Sequence, residues 1–90
     1  MKVLVLYRPN SEYARTVETF IHDLQQRITS RAKLEIMNID SREGSATASL
    51  YDIMQNPAIL VLQNDGYLHK SWQGEEVPPL LDEVAGYAAS

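Results

Sequence analysis

The run Val3-Leu4-Val5-Leu6 constrains this chain more than any other stretch. Four successive apolar residues with no polar alternation describe a strand covered on both faces, as at the centre of an α/β sheet. Tyr7 and Arg8 follow, and Pro9-Asn10-Ser11 breaks the run. Asn10 or Ser11 is placed to cap a helix by accepting a bond from a free first-turn N–H, and Glu12 suits the positive end of the helix dipole. Beyond the break, Tyr13, Val17, Phe20, Ile21, Leu24 and Ile28 recur at helical spacing. They form one apolar face, with Glu18, His22, Asp23, Gln25 and Gln26 turned away. The pattern predicts a helix that ends near Thr29-Ser30.

Leu34 to Asp40 reads as a second strand, so one helix joins two apolar strands. Such a βαβ unit takes a right-handed crossover and sets its strands parallel. Ser41 to Ser45 is a loop by composition. A short helix is predicted from about Ser45 to Gln55, burying Ala46, Leu50, Ile53 and Met54. Asn56-Pro57 stops it, because proline disfavours helical backbone in the residue before it. Ala58 to Gln63 is a third strand, and Asn64-Asp65-Gly66 a hairpin turn. Tyr67 to Trp72 alternates like a half-covered edge strand. Tyr67 and Trp72, an odd number of positions apart, point to opposite faces, one packed under a helix and one exposed. Gly74-Glu75-Glu76 ends the pattern. Pro78-Pro79 suit a helix's first turn, where no amide donor is needed, and Leu80, Leu81, Val84 and Ala85 supply that helix's apolar face. The order β-α-β-α-β-β-α predicts an α/β fold with a four-stranded mixed sheet flanked by helices on both faces.

Ninety residues suit one domain, residues 1–90, burying roughly 60–65% of the surface its unfolded chain exposes. The apolar and charged fractions, 44% and 22%, are those of an ordinary globular protein. A net charge of −4 and the absence of a basic stripe argue against a nucleic-acid partner. The loose basic group from Arg27 to Lys33 reads as a solvated helix end. No apolar run approaches the ~20 residues of a membrane span, and no signal-like segment precedes the first strand, so no membrane partner and a cytoplasmic location are expected. The chain has no cysteine. That removes disulfides, thiolate metal sites and every thiol mechanism.

An ordered set of short motifs carries a family resemblance. It consists of Asn38-Ile39-Asp40, Leu50-Tyr51-Asp52-Ile53, Asn56-Pro57 with the apolar run to Leu62, Asn64-Asp65-Gly66, and Gly74. In this order they resemble the thioredoxin and glutaredoxin superfamily across nearly the whole chain. In that family the second strand ends in an acidic residue, a short helix leads to a cis-proline, and an apolar strand closes in an Asn-Gly turn. A first strand starting beside Met1 resembles the compact, glutaredoxin-like form. Only about 5–6% of X–Pro bonds are cis; the resemblance implies that Pro57 is among them. It also implies that Asn56 offers its backbone N–H and C=O to an extended peptide, in strand addition. Ser11 and Ala14 fall on the Cys-x-x-Cys pair, giving Ser11-Glu12-Tyr13-Ala14, with Tyr13 and Arg15 resembling the aromatic and basic residues found there. Oxidoreductase chemistry by the family mechanism is therefore lost.

Other chemistry is weakly supported. Some glutathione transferases use a Ser or Tyr hydroxyl here to stabilise the cofactor's thiolate, a role open to Ser11 or Tyr7. However, Trp72-Gln73-Gly74-Glu75 does not reproduce their acid-Ser grip on the glutamyl end, and their second, helical domain is not expected here. A serine hydrolase fails on geometry. His22 lies eleven residues from Ser11 on the same helix, or about 16 Å along its axis, far beyond hydrogen-bond reach. His69 reads as solvated, and two distant histidines with unpatterned carboxylates give no metal site. Arg8, Asn10, Tyr13, Asn56 and Trp72 are expected to rim a shallow surface beside the lost thiols. A shorter resemblance, in Asn10-Ser11 and the Ala and apolar positions of the first helix, is to KaiB-type clock proteins and related sensor-kinase input domains. Those thioredoxin-like modules work by binding partners, which supports a binding role by analogy. The expectation is a redox-inactive, thioredoxin-like protein- or peptide-binding module. Its candidate surface comprises Asn10, Ser11, Tyr13, Ala14, Asn56 and Pro57. No metal or other cofactor is expected, with glutathione binding the alternative.

Overall fold

The computed structural model describes residues 1–28 and 33–89. Strand β1 (Lys2–Tyr7) leads through a turn into helix α1 (Ala14–Arg27), and the chain continues into β2 (Lys33–Asn38). Helix α2 (Arg42–Leu50), strands β3 (Ala58–Leu62) and β4 (Leu68–Gln73), a single 3₁₀ turn (Gly74–Glu76) and helix α3 (Leu81–Ala88) complete it. The sheet order is β2-β1-β3-β4. Strand β1 pairs parallel with β2 and antiparallel with β3, and β3 pairs antiparallel with β4. This is the mixed four-stranded α/β fold that the order of the motifs implied.

The uniform apolar runs occupy the two central strands, because only there are both faces covered. Val3, Val5, Tyr7, Ile59 and Val61 point to one side, under Val17, Phe20, Ile21 and Leu24 of α1 and Val84 and Ala88 of α3. Leu4, Leu6, Ala58, Leu60 and Leu62 point to the other, where Ala48 of α2 and Ile53 cover them. Each fully buried Leu, Ile or Val contributes about 1.5–3 kcal/mol of apolar transfer. The edge strands are less covered, with Ile36 on β2 and Leu68 on β4 both exposed. An ion pair between Arg27 and Asp82 ties the end of α1 to the start of α3.

Several boundaries differ from those the sequence suggested. Helix α1 ends at Arg27 with Ile28 as its C-cap, and the end expected near Thr29-Ser30, like Arg31 of the basic group, lies outside the described residues. Helix α2 begins and ends earlier than expected. Ser41 caps it, its Oγ accepting the Gly44 N–H at 2.9 Å. Asp52 (φ +54°) ends it in the left-handed region. The N–H groups of Ile53 and Asp52 then donate to the carbonyls of Ala48 (2.8 Å) and Ser49 (3.3 Å). These two bonds form a Schellman motif, which satisfies the last carbonyls without help from Pro57. The shift rotates the buried face. Gly44 and Ala48 face the sheet, whereas Ala46 is exposed and Leu50 and Met54 stand 73% and 86% exposed. Only Ile53 of the four residues expected there is buried. Pro78 and Pro79 precede α3 rather than forming its first turn, leaving Leu80 exposed and Ala88 buried in its place.

The β3–β4 hairpin closes as its residues require. Gly66 (φ +92°) sits at the left-handed position of a three-residue loop, and its N–H donates to the Gln63 carbonyl. Val61 faces Lys70 and Leu62 faces Leu68, so His69 is the extra residue of a bulge. Its ring is exposed but stands edge-on to Tyr87 of α3, 5.2 Å between centroids. Trp72 is buried and packs beside the same Tyr87, while Tyr67 is exposed. Trp72 is thus under a helix and Tyr67 outside, but Tyr67 precedes β4 and the bulge at His69 interrupts the alternation, so the odd spacing of the two does not decide it.

Candidate functional site

Beyond the carboxyl end of β1, the turn from Arg8 to Tyr13 meets the loop that carries Pro57. Two bonds shape the turn: the Ser11 N–H and the Ser11 Oγ both donate to the Arg8 carbonyl, at 3.2 and 2.7 Å. The Ser11 hydroxyl therefore closes the turn and does not cap α1. The helix starts three residues later, with Tyr13 at the capping position and no side-chain cap. A proline followed by Asn-Ser favours such a turn as well as a cap, and here the turn wins.

Tyr13 joins the two loops. Its hydroxyl donates to Asn56 Oδ1 at 2.5 Å and accepts the Arg8 N–H at 3.3 Å. The Asn56-Pro57 peptide bond is cis, as is Val77-Pro78. The Pro57 carbonyl accepts the Gly74 N–H at 2.9 Å, which extends the β3–β4 pairing by one step. Gln73 anchors the approach to Pro57, with its Oε1 accepting the N–H groups of Met54 (3.0 Å) and Gln55 (3.2 Å). Its own N–H donates to Glu76 Oε1 in a capping box around the 3₁₀ turn. Gly74 (φ +59°) lies directly under Gln55, where a Cβ would stand 2.1 Å from Gln55 Oε1. Among the described residues, no hydrogen bond uses the backbone N–H or C=O of Asn56.

These parts leave an open groove of about 490 Å³, lined by Tyr13, Gln55, Asn56, Pro57, Gly74, Glu75 and Val77. Of the residues expected from the sequence, the groove brings together Tyr13, Asn56 and Pro57. Asn10 and Ser11 lie in the adjoining turn outside the lining, and Ala14 is 6% exposed, its methyl turned into the core. Trp72 does not rim the groove, because its position on β4 points it under α3. Gln55, Glu75 and Val77 were not foreseen. The signal for them was Gly74: a glycine forced to positive φ after the last strand places the next turn against Pro57.

Two polar pairs lie at and beyond the end of β1. Arg8 makes a two-pronged pair with Asp40 past the end of β2, Nε to Oδ2 at 2.7 Å and Nη2 to Oδ1 at 2.9 Å. The pairing raises the guanidinium pKa and holds the Asp40 carboxyl below its usual range. Tyr7, at the end of β1, donates to Glu18 Oε2 at 2.7 Å. Burial, the bond to Glu18 and that carboxylate's charge push the phenol up to about 12. The two hydroxyls open to holding a thiolate thus donate within the protein, Tyr7 to Glu18 and Ser11 to the Arg8 carbonyl. Among the described residues no three His, Asp or Glu side chains gather as metal ligands, and no helix is long and apolar enough to cross a membrane.

No protein-family model and no curated protein matches the sequence. Solved structures do match the fold. Oxidised thioredoxin from Plasmodium falciparum superposes with a TM-score of 0.76 at 15% identity, covering 98% of this chain and 81% of that one. Oxidised thioredoxin O2 from Arabidopsis thaliana gives 0.76 at 15% identity, over 99% and 75% of the two chains. A mutant thioredoxin from Halobacterium salinarum gives 0.72 at 17% identity, over 97% and 70%. At these identities the likeness concerns the fold, which is thioredoxin-like.

Proposed function

We propose that this thioredoxin-like chain is a redox-inactive binding module that takes an extended protein or peptide segment into the groove beside Pro57. One observation carries the reading: among the described residues, the backbone N–H and C=O of Asn56 face no partner, at the lip of a groove whose other elements are tied down. An unpaired donor and acceptor on one residue are what an added strand needs. Tyr13, Pro57 and Val77 supply apolar surface for a side chain beside that backbone. With no cysteine, the segment is held and not reduced. A cytoplasmic location belongs to the same reading and is checked by cell fractionation. Glutathione has less support, since Tyr7 and Ser11 already donate their hydroxyl protons elsewhere.

The test is selection of a displayed random-peptide library on the immobilised protein, followed by titration of the selected peptides into isotope-labelled protein. The amide signals of Gln55, Asn56, Gly74 and Val77 should move together and saturate. Binding that moves only remote amides would overturn the reading, as would a selection that enriches nothing. A parallel titration with glutathione should leave Ser11 and Asn56 unmoved at sub-millimolar ligand.

A further inference from the structure

The groove has a charge sign as well as a shape. Among the described residues, Glu75 is the one ionised side chain in its lining, and no lysine or arginine lines it. The cation next to it in the fold, Arg8, is held by Asp40 through two bonds. Exposed Glu12 adjoins Tyr13, and Glu76 follows Glu75 in the same 3₁₀ turn. Past Val77, a second open groove of about 530 Å³ includes Glu12, Asp23 and Arg15, two carboxylates against one guanidinium. The whole chain carries −4. Both the groove wall and the wider field therefore favour a cationic partner.

We propose that the groove selects extended segments bearing a lysine or arginine whose head lies against Glu75, next to an apolar side chain resting on Tyr13 and Pro57. The inference rests on the peptide-binding reading of this same groove. In an added strand, successive side chains alternate between the groove and its outer wall. A lysine or arginine on the Glu75 side covers Val77 with its aliphatic stem while the charged head stays in water beside the carboxylate. Such a rim pair sets partner choice and encounter rate more than bulk affinity. For an exposed pair the expected discrimination is about 1.5- to 5-fold, and added salt reduces it.

The experiment compares library selections on the wild-type protein, on Glu75→Lys, and on Glu43→Lys. The last makes the same change in net charge at exposed Glu43 of α2, which lines neither groove. Wild type and Glu43→Lys should enrich Lys and Arg beside an apolar position, whereas Glu75→Lys should favour Asp and Glu there. One selected peptide, remade with that basic residue replaced by Glu, should bind wild type about 1.5- to 5-fold more weakly by fluorescence anisotropy at low salt, with the gap closing at high salt. Peptides that move the groove amides without a basic preference would overturn this inference and leave peptide binding standing. A basic preference that survives Glu75→Lys would do the same. If no peptide moves the groove amides at all, the binding reading fails, and this inference with it.

Discussion

Tyr13 shows how one side chain holds two loops in place. Among the described residues, its hydroxyl alone bonds both the Arg8 backbone and the Asn56 side chain. Tyr13→Phe keeps the ring and removes both bonds, leaving Asn56 Oδ1 part-buried without its donor. The expected cost is about 1 kcal/mol in urea unfolding, with the amides of Gln55 and Asn56 shifting most in the free protein. Unchanged stability and unmoved signals there would mean that Tyr13 does not position Asn56. Tyr7 makes a different prediction. Its phenol is raised from 10.0 to about 12, so folding favours the neutral form. Its contribution is fully present below pH 10 and is lost as pH rises from 10 through 12, because the unfolded chain releases the proton first. A phenolate absorbance titration of wild type minus Tyr7→Phe should isolate one tyrosine ionising near 12. A difference curve centred near 10 would remove Glu18 and burial as the cause. At this scale the sequence was partly legible. Tyr13, Asn56 and Pro57 were readable because each belongs to a motif with a fixed place in the fold. Glu75 and Val77 were not, because they reach the groove only through the turn that Gly74 sets, and Gln55 was not, because the sequence placed it at the end of a helix that closes before it. Ser11 was misread because a serine after proline serves a turn and a helix cap equally well until the backbone beyond it is known.

Helix α2 is where local sequence rules competed and the outcome was decided by its ends. Proline at 57 offers a strong stop, yet the helix closes six residues earlier at Tyr51, since Asp52 takes the left-handed conformation and frees Ile53 to reach the core. At the other end, Ser41 caps the helix, and its Oγ also donates to the Asn38 carbonyl at 2.7 Å. Ser41→Ala should cost about 1 kcal/mol. Gly44→Ala should cost more, about 1–3 kcal/mol, because its Cβ would stand 2.0 Å from the backbone oxygen of Asn38. Asp52→Gly removes a side chain from a conformation that L-residues resist and should be neutral or stabilising, whereas Asp52→Val should cost about 1–2 kcal/mol. Urea midpoints for the four variants check the order. If Asp52→Val were as stable as wild type, Asp52 would not be what ends the helix. The strands were easier to read than this helix. The unbroken runs of β1 and β3 admit only a central position, and α1 shows five buried residues at helical spacing. In α2 the alanines and serines carry little periodic signal, so capping chemistry and not hydrophobic pattern decided its limits.

At the scale of the molecule, a thioredoxin-like frame stands without a thiol. The thioredoxin-like sheet, the helix rising from the end of β1 and the Pro57 loop are all in place. The resemblance sets Ser11 and Ala14 on the Cys-x-x-Cys pair; both lie in the turn before α1, and the Ala14 N–H donates to the Ser11 carbonyl at 3.2 Å. A turn closed by such a bond keeps its end Cα atoms within about 7 Å, and disulfides span about 4.4–6.8 Å. The double substitution Ser11→Cys with Ala14→Cys should therefore form a disulfide within one chain. Thiol counting should find both thiols lost on oxidation and both restored by dithiothreitol. The oxidised variant should run as a monomer under denaturing conditions. Wild type should not reduce insulin, and the reduced variant should. Its rate should be modest, because Glu12 lies between the two positions and its negative charge opposes formation of the attacking thiolate. Adding Glu12→Gln should raise the rate while leaving the disulfide intact. Two thiols that stay free under oxidising conditions would show that positions 11 and 14 are misplaced on the frame. A disulfide that forms without any insulin reduction would separate the fold from the chemistry.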